Sequence, residues 1–164
     1  MKEIAVAHSQ PKNAGQKKEE QLRRYPRSMA LLDQIREKKR NVELLRQRVS
    51  LLRMLTTDTS AHLREVPGSD SPDQQRIATL MTEIDGVERE IAAAEREIRL
   101  ARLDAGIAIS RICEPRAQRV LQLYYLEDKS WGSIAEEMSY SKTAVFSFRE
   151  IGMTEMENLL RQAA

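Results

Sequence analysis

The sequence predicts an all-α protein, in which a long antiparallel coiled-coil hairpin precedes a C-terminal bundle of three to four helices with a helix-turn-helix. Three observations lead to this prediction. Apolar residues recur at alternating steps of three and four along two long segments. A stretch with proline and glycine separates these segments. Charged residues make up 32% of the chain and aromatic residues only 4%, which favours long helices with much exposed surface.

The two long helices are predicted over residues 28–64 and 73–113. The apolar seam of the first, in which Lys38 fills one slot, consists of Leu31, Ile35, Val42, Leu45, Val49 and Leu52. A second seam with the same rhythm runs along the other helix without a break. Between them lies a turn around Pro67 and Gly68, and Ser71 is expected to cap the second helix.

The two predicted helices carry opposite charge. Residues 34–53 contain seven basic and two acidic residues, whereas residues 82–104 contain seven acidic and four basic residues. Their similar lengths and their short connection suit antiparallel neighbours. We therefore expect the two helices to lie side by side with their charges paired.

The first helix also carries apolar residues outside its seam. Leu44, Leu51 and Leu55 are spaced seven and four apart and lie on a different face. A second copy of the chain would bury them, so we expect a homodimer or a higher homo-oligomer. Two alternatives stay open: these leucines pack on the C-terminal helices of the same chain, or two unbroken coiled coils form a parallel dimer.

The chain divides into a disordered basic tail (1–24), the hairpin used for assembly (25–113) and the helix-turn-helix domain (114–164). The tail is expected to be disordered because it is polar and has no sustained periodicity. The lone Cys113 fits a reducing cytoplasm, and no apolar run suits a signal peptide or a membrane span. Because no catalytic constellation, metal-ligand cluster or phosphate-binding glycine loop occurs, the sequence predicts neither an enzyme nor a cofactor.

Residues 130–150 have the spacing of a helix-turn-helix. With Trp131 as the first place, the buried places fall on Ile134, Ala135, Met138, Tyr140, Val145 and Phe148. Ser130 and Ser141 are the predicted N-caps of the two helices. Ser139 occupies the ninth place, where the backbone is expected to be left-handed and serine costs about 1 kcal/mol relative to glycine. A short support helix is expected before the motif, with Leu123 flanking its inner face.

The stretch "LQLYYLEDKSWGSIAEEMSYSKTAVFSFRE" resembles the region-four-type helix-turn-helix of sigma factors. It is more closely similar to a family of small phage proteins related to late-gene transcription activators. The residues that carry the resemblance are Arg119, Leu123, Leu126, Ser130, Trp131, Ile134, Ala135, Met138, Tyr140, Ser141 and Val145. The resemblance implies a DNA-binding regulator of phage or prophage genes in the cytoplasm of a bacterial host, with double-stranded DNA as partner and bacterial RNA polymerase as a further candidate.

In such a motif, the early residues of the second helix face base edges in the major groove. The candidate DNA-binding residues are therefore Ser141, Lys142, Thr143, Phe146, Ser147 and Arg149. Lys142 can donate to guanine and Phe146 can touch a thymine methyl group, whereas Arg149 is expected to hold a phosphate.

The charge of the C-terminal region opposes this interpretation. Residues 115–164 contain six basic and seven acidic residues, while specific DNA binders often neutralise about six to ten phosphates. DNA binding would therefore need a dimer, the basic segment from Lys12 to Arg53, or RNA polymerase. The alternative function is an interaction module that docks on RNA polymerase or another phage protein without binding DNA itself, which the aromatic residues Phe146 and Phe148 favour.

Overall fold

A computed structural model describes residues 14–63 and 72–163. In order, its elements are α1 (Ala14–Arg24), α2 (Pro26–Leu63), α3 (Pro72–Ser110), α4 (Pro115–Leu121), a π-helical turn (Gln122–Leu126), α5 (Trp131–Met138) and α6 (Lys142–Gln162). The described residues form no strand, so the all-α prediction is confirmed. The two long helices begin and end within three residues of their predicted limits. The turn between them, including the predicted cap Ser71, lies outside the described residues.

Helices α2 and α3 form the predicted hairpin. Val49 and Leu52 of α2 are buried against Val87 of α3 at its centre. The expected charge pairing is present in Arg46–Glu95 at 2.8 Å, Arg48–Glu83 at 2.5 Å, Arg53–Glu88 at 2.6 Å and Lys38–Glu97. Because these pairs are exposed, each contributes at most about 1 kcal/mol. They select the register and orientation of the hairpin, while the buried seam supplies its stability.

A second, larger core joins the base of the hairpin to the C-terminal helices. Its buried members are Tyr25, Met29, Leu32, Ile35, Ala101, Ala105, Ile109, Ile112, Ala117, Leu121, Tyr125, Met153 and Met156. They come from α2, α3, α4, the π-helical turn and α6, with Tyr25 just before α2 and Ile112 between α3 and α4. Polar contacts reinforce the junction, because Lys39 of α2 pairs with Asp128, which lies just before α5. The hairpin and the C-terminal region therefore share one continuous interior.

The expectation of disorder is wrong for residues 14–24, which form α1. Only Tyr25 separates α1 from α2, and the amide of Tyr25 donates to the carbonyl of Gln21, so the backbone ladder nearly continues. Pro26 accounts for the break, since proline disfavours helical geometry in the residue before it. Because Leu22 is largely exposed, α1 relies on polar contacts such as Lys18–Asp33 at 3.4 Å. Residues 1–13 lie outside the described part of the chain.

The apolar residues outside the seam of α2 are left uncovered. Leu44 and Leu51 are each 62% exposed, and Leu55 is 48% exposed. The alternative in which they pack on the C-terminal helices of the same chain is therefore wrong.

Candidate nucleic-acid interface

Helices α5 and α6 form a tight helix-turn-helix whose local geometry agrees with the sequence. The hydroxyl of Ser130 accepts from the amide of Ser133, and that of Ser141 accepts from the amide of Ala144, both at 3.2 Å. Both predicted N-caps are confirmed. Between the helices, Ser139 has φ 58° and ψ 40°, the left-handed conformation expected at the ninth place. The turn is therefore formed without glycine, at a conformational cost of about 1 kcal/mol.

The two helices cross over a small core of their own. It consists of Val120, Leu123, Ile134, Ala135 and Val145, with Tyr124, Trp131, Met138 and Phe148 packed at its edge. Tyr140, expected to be buried, is instead 40% exposed. Its ring meets the edge of Phe148 with centroids 5.1 Å apart, at the rim of the domain. Phe148 lies at the edge of the small core, and Tyr140 packs on it without being part of that core.

The π-helical turn explains how the expected support helix serves two cores. The amide of Glu127 donates to the carbonyl of Gln122, a wider spacing than in an α-helix. Leu121 and Tyr125 thereby face the larger core, while Leu123 faces the smaller one. Leu123 is fully buried rather than flanking, because it lies two residues after Leu121 and so faces the opposite side of the segment, where the smaller core lies.

Five of the six candidate DNA-binding residues lie together on the solvent side at the start of α6. This outer face consists of Ser141, Lys142, Thr143, Phe146 and Ser147, all of them exposed. Within the described residues Lys142 has no ion pair, and Phe146 is 45% exposed. The hydroxyl of Ser147 donates to the carbonyl of Thr143 at 3.1 Å. The Lys142 ammonium group, at the start of α6, is therefore exposed and has no ion-pair partner among the described residues.

Arg149, expected to hold a phosphate, is buried, with 4% of its surface exposed. Its guanidinium donates to Gln21 at 2.8 Å and to Tyr125 at 3.4 Å, and it pairs with Glu150 at 3.0 Å. The reason is periodicity, since Arg149 lies four residues after Val145 and four before Met153, on the buried side of α6. This residue cannot reach a phosphate and instead ties α1 to the C-terminal core.

A ladder of rings connects the outer face of α6 to the hairpin. Phe146 packs at 5.0 Å against Trp131, Trp131 stacks at 3.8 Å on Tyr124, and the guanidinium of Arg36 lies 4.0 Å from the Tyr124 centroid. Such stacking fixes the orientation of aromatic and guanidinium planes. This ladder was not predictable from the sequence, because Arg36 is almost ninety positions from Tyr124.

A basic cleft of about 910 Å³ opens beside this ladder, between α1, α2 and α5. Its charged lining residues are Lys17, Lys18, Arg36 and Arg40 against Asp33 and Glu37, and Trp131 borders it. The positive charge missing from the C-terminal region is therefore present next to it, on residues that lie more than eighty positions earlier in the chain.

Two shifted pKa values report on the packing around the motif. Burial raises the pKa of the Tyr125 phenol, and the neighbouring Arg149 guanidinium opposes this shift. The hydrogen bonds from Lys129 and Arg119 lower the pKa of the Glu137 carboxyl. Because Glu137 lies on the exposed side of α5 and is matched by two cations, its role here is structural.

Comparison of the chain with protein-family models, curated proteins and solved structures finds no match. None of the helices in the described ranges is both long enough and apolar enough to cross a membrane. The evidence for the candidate site is therefore its geometry, together with the resemblance of residues 121–150 to the region-four-type helix-turn-helix of sigma factors.

Proposed function

We propose that this protein is a DNA-binding transcriptional regulator of phage or prophage genes, with α6 as the recognition helix in the major groove. The observation that carries the proposal is the exposed outer face of α6, presented after a left-handed turn in a helix-turn-helix. This is the arrangement in which such motifs place the first residues of the second helix against base edges.

Four residues of the outer face each have a contact to offer to DNA, while the Ser147 hydroxyl donates to the carbonyl of Thr143. Lys142 donates to guanine, the Phe146 ring meets a thymine methyl group, and the Thr143 hydroxyl bonds a base or a phosphate. Ser141 caps α6 and keeps its hydroxyl proton for a phosphate oxygen. Arg149 has no direct role and holds the recognition helix against α1 and Tyr125.

Lys17 and Arg36 of the basic cleft supply phosphate contacts that the C-terminal region lacks. Lys17 is exposed and has no ion pair within the described residues, and Arg36 lies at the end of the ring ladder that leads to Phe146. A duplex seated on α6 would therefore pass a positively charged surface. Because such contacts release counterions, affinity should fall steeply with salt.

The test is fluorescence anisotropy with a labelled duplex of mixed sequence, at about 50 mM and about 200 mM salt. We expect binding at the lower concentration and a large loss at the higher one. On a duplex selected from a random pool, Lys142→Ala is expected to weaken binding about tenfold, as for one lost base contact.

Arg96→Ala is the matched control, because Arg96 is an exposed cation on α3 and its removal changes the net charge equally. Its binding should stay close to that of the unaltered protein. Failure of the unaltered protein to bind any duplex at the lower salt would contradict the proposal, as would equal losses in the two variants.

Docking on RNA polymerase or another phage protein is the second candidate. Exposed apolar side chains on and beside α6 favour it, namely Tyr140 at 40%, Phe146 at 45% and Ile151 at 43% exposure. Biolayer interferometry with purified bacterial RNA polymerase tests it. Binding that Phe146→Ala weakens, together with no binding to DNA, would favour docking over DNA recognition.

A further inference from the structure

Helix α2 has a second heptad seam on the side away from α3. This outer seam consists of Arg40, Leu44, Gln47, Leu51, Met54 and Asp58, at steps of four, three, four, three and four. All six residues are exposed, and Leu44, Leu51 and Met54 are 62%, 62% and 61% exposed. The spacing is that of a coiled-coil interface, yet no helix of the described chain covers it.

The outer seam is symmetric about its own centre. Counting inward from the two ends, Arg40 corresponds to Asp58, Leu44 to Met54, and Gln47 to Leu51. Its ends carry opposite charge, and within the described residues the side chains of Arg40 and Asp58 have neither an ion pair nor a hydrogen-bond partner. A helix with this pattern is complementary to a second copy of itself in the reverse direction.

We propose that the outer seam binds the outer seam of a second copy, so that two α2 helices pack antiparallel across a two-fold axis near residue 49. Leu44 of each protomer then packs on Met54 of the other, and Arg40 of each lies opposite Asp58 of the other. Symmetry provides every apolar layer and every ion pair twice, as an isologous interface requires. In a parallel pair, Arg40 would face Arg40 and Asp58 would face Asp58, which like-charge repulsion disfavours.

The antiparallel dimer also determines the distance between the two helix-turn-helix units. Arg36, where α2 meets the ring ladder, lies thirteen residues from the symmetry centre. At about 1.5 Å per residue, the two Arg36 positions are about 40 Å apart along the helix axis. Successive major grooves on one side of a duplex are about 34 to 36 Å apart. This consequence rests on the proposed function, whereas the dimer itself does not.

Charge reversal tests the pairing. Molecular mass is measured by light scattering and by sedimentation equilibrium at low salt for Arg40→Asp, for Asp58→Arg and for the variant with both changes. We expect each single change to weaken dimerisation roughly tenfold or more, since it converts two attractive pairs into repulsive ones. The double variant should recover the affinity of the unaltered protein. A monomeric unaltered protein, or a double variant no better than the single ones, would overturn the proposal.

Disulfide cross-linking tests the direction. All variants carry Cys113→Ser, because the natural cysteine is exposed. In the antiparallel dimer two copies of residue 44 lie about 15 Å apart along the helix, whereas residues 44 and 54 of different copies are adjacent. Leu44→Cys mixed with Met54→Cys should therefore give the mixed disulfide on oxidation, and each variant alone should give almost none. Efficient cross-linking of each variant with itself would show a parallel pair and refute the proposal.

The outcomes of these tests and of the DNA measurements are separable. If the protein is a dimer through this seam but does not bind DNA, the interface is supported and the proposed function is contradicted. If the protein is a monomer that binds DNA, the proposed function is supported and the interface is contradicted. If both hold, the duplexes selected from a random pool should be palindromic, with half-sites about one helical turn apart.

Discussion

Ser139 shows how a single residue sets the geometry of the motif. Its φ of 58° is a conformation that glycine adopts at no steric cost and that serine resists. We expect Ser139→Gly to raise the free energy of unfolding by about 1 kcal/mol, measured by urea denaturation followed by circular dichroism. Ser133→Gly, inside α5, is the control and should lower it by about 0.5 to 1 kcal/mol. A destabilising Ser139→Gly would show that the hydroxyl has a role in the turn.

Single residues also mark where sequence reasoning reached its limit. The caps Ser130 and Ser141 and the left-handed Ser139 follow from local chemistry, and all three are found as expected. Arg149 is predicted from the sequence to hold a phosphate, although its spacing from Val145 and Met153 places it on the buried side of α6. Here helical periodicity was the better guide, and it was already readable from the sequence.

At the scale of elements, Gly152 determines how closely α4 and α6 approach. A β-carbon built at this position would lie 2.9 Å from Leu121 Cδ1 and 3.4 Å from Ala117 Cβ, in a fully buried contact. We expect Gly152→Ala to destabilise the fold by about 1 to 3 kcal/mol through overpacking, measured by thermal and urea denaturation.

Gly86→Ala provides the matched comparison for this change. Gly86 is also within a helix, but apart from its chain neighbours and the backbone of its own helix no atom lies within 4 Å of its β-carbon position. It should therefore show only the gain in helix propensity, about 0.5 to 1 kcal/mol of added stability. If Gly152→Ala and Gly86→Ala changed the free energy of unfolding equally, α4 and α6 would be able to move apart without a loss of stability.

Some elements can be predicted from the local sequence pattern, whereas others form only through contacts with distant parts of the chain. The hairpin of α2 and α3 was predictable because two long seams and opposite charges all indicate the same pairing. Helix α1 and the π-helical turn were not, since α1 depends on contacts to Asp33 in the next helix and to Arg149, which is 128 positions from its partner Gln21. The π-helical turn lies in a short segment that contributes residues to two cores, and no local pattern in the sequence indicates this double role.

At the scale of the whole molecule, Glu157 of α6 holds together segments from opposite ends of the chain. Its buried carboxylate accepts from the amide of Arg27 at 3.1 Å and from the amide and hydroxyl of Ser28 at 2.9 and 3.0 Å. These donors lie in the first turn of α2, where negative charge is favourable.

Glu157→Gln should lower the free energy of unfolding by about 1 to 3 kcal/mol, because the amide keeps the size of the side chain but loses its charge and one acceptor. Urea denaturation provides the measurement. Glu136→Gln is the control, since Glu136 is exposed on α5 and has no side-chain partner in the described part of the chain. A loss no larger than that of the control would mean that the α2 terminus is satisfied without the carboxylate.

The fluorescence of Trp131 can be used to follow changes around the recognition helix. It is the only tryptophan of the chain, and its indole lies between Tyr124 and the partly exposed Phe146. Anything that covers Phe146 or shifts Arg36 must also alter the surroundings of this one fluorophore. The intrinsic emission of the unlabelled protein should therefore report occupation of the proposed binding surface, whether the occupant is a nucleic acid or a polypeptide.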